Sequence, residues 1–455
     1  MEKENYSKLN SSSYGMGAFI QQFFRMAFTS LGFHFYEVVI GLDPWYTAIG
    51  YVIFALWNAI NDPLIGYLTS KPYSFTRKLG RFFPWILIGG IPWILSYVLI
   101  YLPPTGGEII FIFIWLIFTT CLFDTFNSFF FVNFQALFPS KFRSNEIRRN
   151  ASGIVTVLGV VGIALGALVP PLLISYESAE SYISQGVIIS IIGTFLFVLG
   201  IYGWREDQPI IDEFLESYEE KRQDASYFTS LKAALKVKSF LAFLILYMFW
   251  QVVTYSVQTS IVYVVDLVLQ RPSLFQTLIQ AMFLIGSVAS IPFWLKYSHK
   301  TNNNKKVMII GSSLMAIFTA TLTFFPNLIV LFIQIILWGV SLGAVWLMLK
   351  PIMADIVDEA VVTTEVREES VFYGIYQFFA RMGLLIQALI FGVIHSMTGF
   401  GQDPTSEAAL FGIRLHFGLV PVIFLVIGIL VFWKFYYLTP DVVEQTQKEL
   451  KSLGL

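Results

Sequence analysis

Apolar runs of about 20 residues recur along the whole chain, each long enough for an α-helix to cross the ~30 Å hydrocarbon core of a bilayer. VIISIIGTFLFVLGIYGW and FGLVPVIFLVIGILVFW are two of them. Backbone inside hydrocarbon has no water to bond to, so runs of this length admit helices and little else. The composition agrees: 56% of the 455 residues are hydrophobic and only 13% charged, against roughly 25% charged in an ordinary soluble domain. The reading is an all-α, multi-pass membrane protein.

Apolar blocks between polar or Pro/Gly breaks place about twelve spans, roughly at 15–40, 45–70, 82–102, 108–138, 150–174, 181–204, 238–268, 273–298, 305–325, 327–350, 368–398 and 411–437. The first is too long, and too interrupted by Gln21, Gln22, Arg25, His34 and Glu37, to be a cleaved signal, so it stays as a span. Short connections alternate between basic and nearly uncharged. Lys71, Arg77, Lys78 and Arg81 follow the second span, Lys141, Arg143, Arg148 and Arg149 the fourth, and Lys296, Lys300, Lys305 and Lys306 the eighth. Basic connections face the cytoplasm, which puts both termini there and the chain in the cell membrane.

The longest polar stretch, from Arg205 to Ser239, divides the spans into two sets of six. The expected organisation is a six-helix half over 1–204, a cytoplasmic linker over 205–238 with short amphipathic helices, a second half over 239–437 and a cytoplasmic tail over 438–455. FPSKFRSNEIRRN after the fourth span and MADIVDEAVVTTEVREE after the tenth form a weak internal repeat. Two pseudo-symmetric six-helix halves with a substrate near the midplane is the major facilitator architecture.

An ionised side chain at the centre of a span costs about 3 kcal/mol, so each one there needs a polar surrounding or a partner. Gln22, Arg25 and His34 in the first span, Asn58, Asn61 and Asp62 in the second, Asp124 in the fourth and Arg381 in the eleventh are therefore read as facing the interior. Asn58, Asn61 and Asp62 stand at i, i+3 and i+4 and share one helix face. Their oxygens suit a hard cation such as Na⁺, and a desolvated Asp62 suits a proton. Asp62 as a kink cap at Pro63, or statically paired with Arg25, is the structural alternative. Tyr373, Gln377 and Arg381 form a second polar stripe, fit for a ligand with apolar faces and hydrogen-bonding groups, while Arg381 could instead balance Asp124.

SYGMGAF, WNAINDPLIGYL with RKLGRFFPWILIGG, PIMADIVDE with REESVFYG, and FWKFYYLTPDVVEQTQKEL follow one another along nearly the whole chain. In this order they resemble the melibiose-permease-like glycoside, pentoside and hexuronide cation symporters of the major facilitator superfamily. The resemblance implies a cation site at Asp62, Asn61 and Asn58, the last standing where the family has a second aspartate, with Cys121 in place of a hydroxyl. It implies substrate contacts at Asp124, Trp346 and Arg381, with Gln22 where the family has an acid and Ser128 where it has an aromatic. Arg25, Tyr373 and Gln377 join the substrate set from the residue pattern. Arg77, Arg81, Asp355, Asp358 and Arg367 resemble a cytoplasmic gate.

The function expected is a symporter moving a small polar, glycoside- or uronide-like solute by alternating access, with H⁺ or Na⁺ as coupling ion. A lysophospholipid-like amphiphile, with FFFVNF on the fourth span lining its path, is the rival within transport, and a non-transporting receptor the rival outside it. No nucleophile with a base, metal cluster or phosphate loop is visible, so an enzyme is not expected, nor any cofactor. The near-zero net charge and the lack of a basic aromatic patch argue against nucleic acid. A monomer suffices, since one chain supplies both halves.

Overall fold

The computed structural model describes residues 7–69, 71–104, 106, 108–142, 145–220, 235–364 and 369–453. All elements among them are helical. The chain forms two compact units, 1–223 with 272–277, and 224–271 with 278–455.

The first unit contains α1 (Lys8–His34), α2 (Pro44–Thr69), the short α3 (Thr76–Leu79), α4 (Phe83–Ile100), α5 (Ile109–Lys141), α6 (Asn145–Leu172), α7 (Ala179–Trp204) and α8 (Gln208–Glu220). The second contains α9 (Lys238–Tyr263), α10 (Leu274–Thr301), whose first turn groups with the first unit, α11 (Asn304–Thr321), α12 (Leu328–Thr364), α13 (Glu369–Met397), α14 (Glu407–Phe417), α15 (Leu419–Phe435) and α16 (Pro440–Leu453). Among the described residues ten helical segments are long and apolar enough to cross a membrane. The first and ninth spans read from sequence fall outside that set, α1 for its polar residues and α11 for the Asn304, Lys305 and Lys306 that open its 18 residues.

Several boundaries differ from the sequence reading. The tenth span, expected to stop at 350, runs on to Thr364, so Asp355 and Asp358 sit on a helix. α6 begins at Asn145, which turns Arg148 and Arg149 from loop residues into first-turn helix residues. The last span is broken at Gly418, whose φ of −129° and ψ of −86° interrupt the helix.

Helix ends follow their capping residues. Ser7, Ser178, Asn303 and Ser406 each accept a hydrogen bond from the backbone N–H three residues on, the side chain replacing one of the carbonyls that a first turn lacks. Close packing uses glycine: a Cβ on Gly162 of α6 would come within 2.3 Å of the Phe19 carbonyl oxygen of α1, an approach open only to a residue with no side chain.

The first long helix of each unit ends in the same way. α1 widens into a π-turn at Phe35–Val39 and α9 into one at Val264–Val268. Ile40 N donates to the Phe35 carbonyl and Leu42 N to that of Tyr36; Leu269 N and Arg271 N donate to Val264 and Val265 in the same register. Gly41 at φ 76° and Gln270 at φ 49° occupy matching left-handed positions. A widened turn, one left-handed residue and a proline opening the next segment make the same exit from both helices.

Candidate functional site

The face of α2 that carries Asn58, Asn61 and Asp62 packs against α5, which presents Asp124 and Ser128 one turn apart. Asn58 Nδ2 donates to Asp124 Oδ1. Asn61 Nδ2 lies 3.1 Å from Asp124 Oδ2 and 3.0 Å from Ser128 Oγ. The Ser128 hydroxyl in turn donates to Asp62 Oδ1. Asn58, Asn61 and Asp124 are 4%, 2% and 2% exposed, whereas Asp62 is half-buried. A second tie holds the same two helices together: Trp57 Nε1 donates to Thr125 Oγ1 at 2.9 Å, and Thr125 donates to the Cys121 carbonyl at 2.7 Å.

Two carboxylates from two helices thus share one network of amides and one hydroxyl. Two amide N–H donors point at Asp124 and one O–H at Asp62. The Oδ1 of Asn58 is buried in this cluster and makes no hydrogen bond. A buried acceptor beside two carboxylates suits a small cation, since a cation satisfies acceptors that no N–H reaches.

The sequence reading set Asp124 among the substrate contacts and Asn58, Asn61, Asp62 and Cys121 at the cation site. The structure puts Asp124 in the same network as the three α2 residues and adds Ser128, whose side chain the motif pattern marked only as a missing aromatic. Cys121 lies one turn before Asp124 and is half-buried. The signal for Ser128 was present, because it follows Asp124 at i+4 on a helix whose partner carries the asparagines.

The remaining expected contacts are spread over several helices. On α1, Gln22 is half-buried against Gly159 of α6, and Arg25 is exposed, its carbonyl accepting from Thr29 Oγ1 at 2.9 Å. On α12, Trp346 stands edge-on to Phe283, 6.4 Å between ring centroids. On α13, Tyr373 and Gln377 are exposed and Arg381 half-buried, along one helix face. In FFFVNF, Phe130 and Phe134 are buried, Phe130 stacking on Trp93 at 5.3 Å and on Phe134 at 5.8 Å, while Phe129, Phe131 and Val132 are half-buried.

The gate residues have partners inside their own units. Arg81 is half-buried, with its guanidinium 4.8 Å from the Phe82 ring centroid and 4.5 Å from that of Phe214 on α8. Beside it Glu206 Oε2 accepts from Phe82 N at 2.7 Å and Phe83 N at 3.1 Å, capping the start of α4. Burial pushes the Glu206 carboxyl up, opposed by those N–H groups and by Arg81, and burial pulls Arg81 down, opposed by Glu206. Arg77 is exposed, its carbonyl 3.4 Å from Gln208 Nε2. Asp355 Oδ2 accepts from Asn304 Nδ2 at 2.9 Å, and Asp358 is half-buried one turn further on. Arg367 lies outside the described residues. Lys141, 1% exposed, donates to the carbonyls of Gly203 at 2.8 Å and Arg205 at 2.7 Å and closes the end of α7. From sequence, Glu206 was read only as part of the polar linker and Lys141 only as one of the basic connection residues after the fourth span, since such charges read as solvated.

The family model described as MFS/sugar transport protein matches residues 13–439. The sodium-dependent lysophosphatidylcholine symporter 1 of Mus musculus is 23% identical, covering 99% of this chain and 90% of its own. The sphingosine-1-phosphate transporter MFSD2B of Xenopus tropicalis is 23% identical over 91% and 85%. The uncharacterized symporter YnaJ of Bacillus subtilis is 23% identical over 99% and 97%. A bacterial homologue of the human lysosomal transporter Spinster has the same fold, with a TM-score of 0.70 at 12% identity over 98% and 99% of the two chains.

Proposed function

The chain belongs to the MFS/sugar transport protein family of the major facilitator superfamily, and from that premise we propose that this multi-pass membrane transporter is a Na⁺-coupled symporter of a lysophospholipid-type amphiphile. One observation carries the coupling: Asp62 and Asp124 meet in one buried network with Asn58, Asn61 and Ser128. Asn58 stands where the resemblance implies an acid, but Asp124 supplies the second negative charge from the neighbouring helix. The unsatisfied Asn58 Oδ1 beside the two carboxylates completes a set of oxygens that suits a metal cation. Half-buried Asp62 is the side from which the ion enters.

The same network supports the amphiphile over the glycoside. Asp124, the acid expected to hold sugar hydroxyls, is engaged by two amides, and Ser128 bonds to Asp62 where a ring would stack on a sugar. Curated relatives spanning most of the chain carry the names of lysolipid and sphingolipid transporters. Cation binding then drives transport if the ion prefers one state of the carrier, a few kcal/mol of differential affinity being enough. Both termini face the cytoplasm in this reading, as the basic connections require.

The test is uptake of a fluorescent lysophosphatidylcholine into proteoliposomes under an inward Na⁺ gradient, compared with K⁺ and with excess melibiose. The proposal expects Na⁺-dependent accumulation, competed by unlabelled lysolipid and untouched by the sugar. Accumulation of labelled melibiose instead, or lysolipid binding with no flux, would overturn it in favour of a glycoside carrier or a receptor.

A further inference from the structure

Three of the four histidines are fully buried, and all three lie at the π-turn ends of α1 and α9. His34, the last residue of α1 before its π-turn, has Nδ1 3.1 Å from the hydroxyl of Tyr182. Tyr263 holds the matching place on α9, and against it lie His395 of α13 and His416 of α14, with ring centroids 5.4 and 6.0 Å away. The fourth, His299, is exposed near the other end of its helix.

The second unit's pair is unusual in its geometry: His395 Nε2 and His416 Nε2 face each other at 2.9 Å. The surrounding groups fix the proton. Ser260 donates its hydroxyl to the Ser256 carbonyl at 2.6 Å, so its oxygen accepts from His416 Nδ1–H at 2.7 Å. His416 Nε2 is then a bare lone pair, and His395 Nε2–H donates to it. Phe391 stacks on His416 and Phe400 on His395, both at 4.0 Å. Among the described residues, Tyr263 of α9 packs against both imidazoles of α13 and α14. Arg414 turns away, its guanidinium 4.2 Å from the Phe325 ring centroid. The carboxylate next along α9 is Asp266, on the π-turn itself.

We propose that His395 and His416 form a proton-binding site, separate from the carboxylate network of α2 and α5, through which acidification loosens α13 and α14 from the π-turn end of α9. The 2.9 Å gap holds one proton and not two. A second proton on the pair would set two N–H groups against each other across that gap, so the rings must part to hold it. The unfolded chain, whose rings are apart, therefore binds more protons than the packed one, and the stability this contact gives falls on acidification.

The experiment is thermal unfolding of the purified full chain at pH 7.5 and 5.5, beside His395→Gln, whose side-chain amide keeps a donor toward His416 and removes one titrating ring. The unmodified chain is expected to lose about 2–4 °C between the two pH values, and His395→Gln to lose less than half of that. An identical loss in both overturns the proposal. Should the variant fail to fold, ¹⁵N-histidine spectra of the unmodified chain decide. A nitrogen–nitrogen coupling across one hydrogen bond at pH 7.5 that vanishes at 5.5 supports the site, and two rings titrating as independent imidazoles refute it. Neither readout involves a transported solute or Na⁺.

Discussion

Replacing Asp124 by asparagine separates a cation site from a sugar site. The substitution keeps the size of the side chain and one acceptor oxygen but removes a unit charge 2% exposed to solvent. At an effective dielectric of about 20, a charge about 4 Å from a bound cation contributes about 4 kcal/mol. The retained amide dipole returns part of this, leaving a loss of roughly 10²–10³-fold in Na⁺ affinity at about 1.4 kcal/mol per decade. The partners also matter. Asn58 and Asn61 both donate to Asp124, and an amide there offers one acceptor in place of two, so one buried N–H loses its bond at a cost of about 1–3 kcal/mol. The assay is a Na⁺ titration followed by thermal shift on purified protein, since an ion that binds only the folded state raises its stability by mass action. The expected result is a half-saturating Na⁺ concentration raised by at least two decades, with lysolipid binding retained at saturating Na⁺. An unchanged Na⁺ titration with lost solute binding would falsify the assignment and return Asp124 to the substrate.

Asn58→Asp sets a third carboxylate against Asp124, and like charges at that separation favour a proton on one of them; Na⁺-driven uptake should become more dependent on pH than in the unmodified chain. Ser128→Ala removes the donor to Asp62 and an acceptor for Asn61, and Na⁺ affinity measured by thermal shift should fall about 10-fold. At the start of α4, Glu206→Ala strips the N–H groups of Phe82 and Phe83 of their partner and should lower the melting temperature by about 2–4 °C, whereas Glu206→Gln keeps an acceptor and should cost less. Because burial raises the Glu206 carboxyl, it ionises less readily in the folded chain than in the unfolded one. Its contribution is greatest at low pH and declines as pH rises through its raised value, so the difference between Glu206→Gln and the unmodified chain should shift toward the variant from pH 5 to pH 8. Gly80→Ala should destabilise more than either, since Gly80 has φ 92° and a Cβ there would sit 2.2 Å from Glu206 Oε2.

Much of the architecture was legible in the sequence because its cause is local. A run of apolar residues long enough for a bilayer dictates a helix wherever it occurs, and WNAINDP announces its polar face by spacing alone. What sequence left unassigned depends on neighbours. Asp124 and Ser128 have the i, i+4 spacing of any two residues one turn apart on a helix, and only packing against α2 shows that they complete one network. The extension of α12 to Thr364 was hidden by MADIVDE, whose charges read as loop but lie along a helix with Asp355 bonded to Asn304. Glu206 and Lys141 looked like solvated linker charges, yet one caps α4 and the other closes α7. The matched π-turns were also hidden, since HFYEVVIGLDP and YVVDLVLQRP share a pattern of apolar residues, one acid and a proline but almost no identities.

Direct binding of ²²Na⁺ to the purified chain is the measurement closest to the central claim. One saturable site per chain is expected, not displaced by K⁺, weakened in Asp124→Asn and absent when Asp62→Asn is combined with it. Saturable binding of full stoichiometry and unchanged affinity in that double variant would place the ion elsewhere and remove the two-carboxylate network from the coupling mechanism.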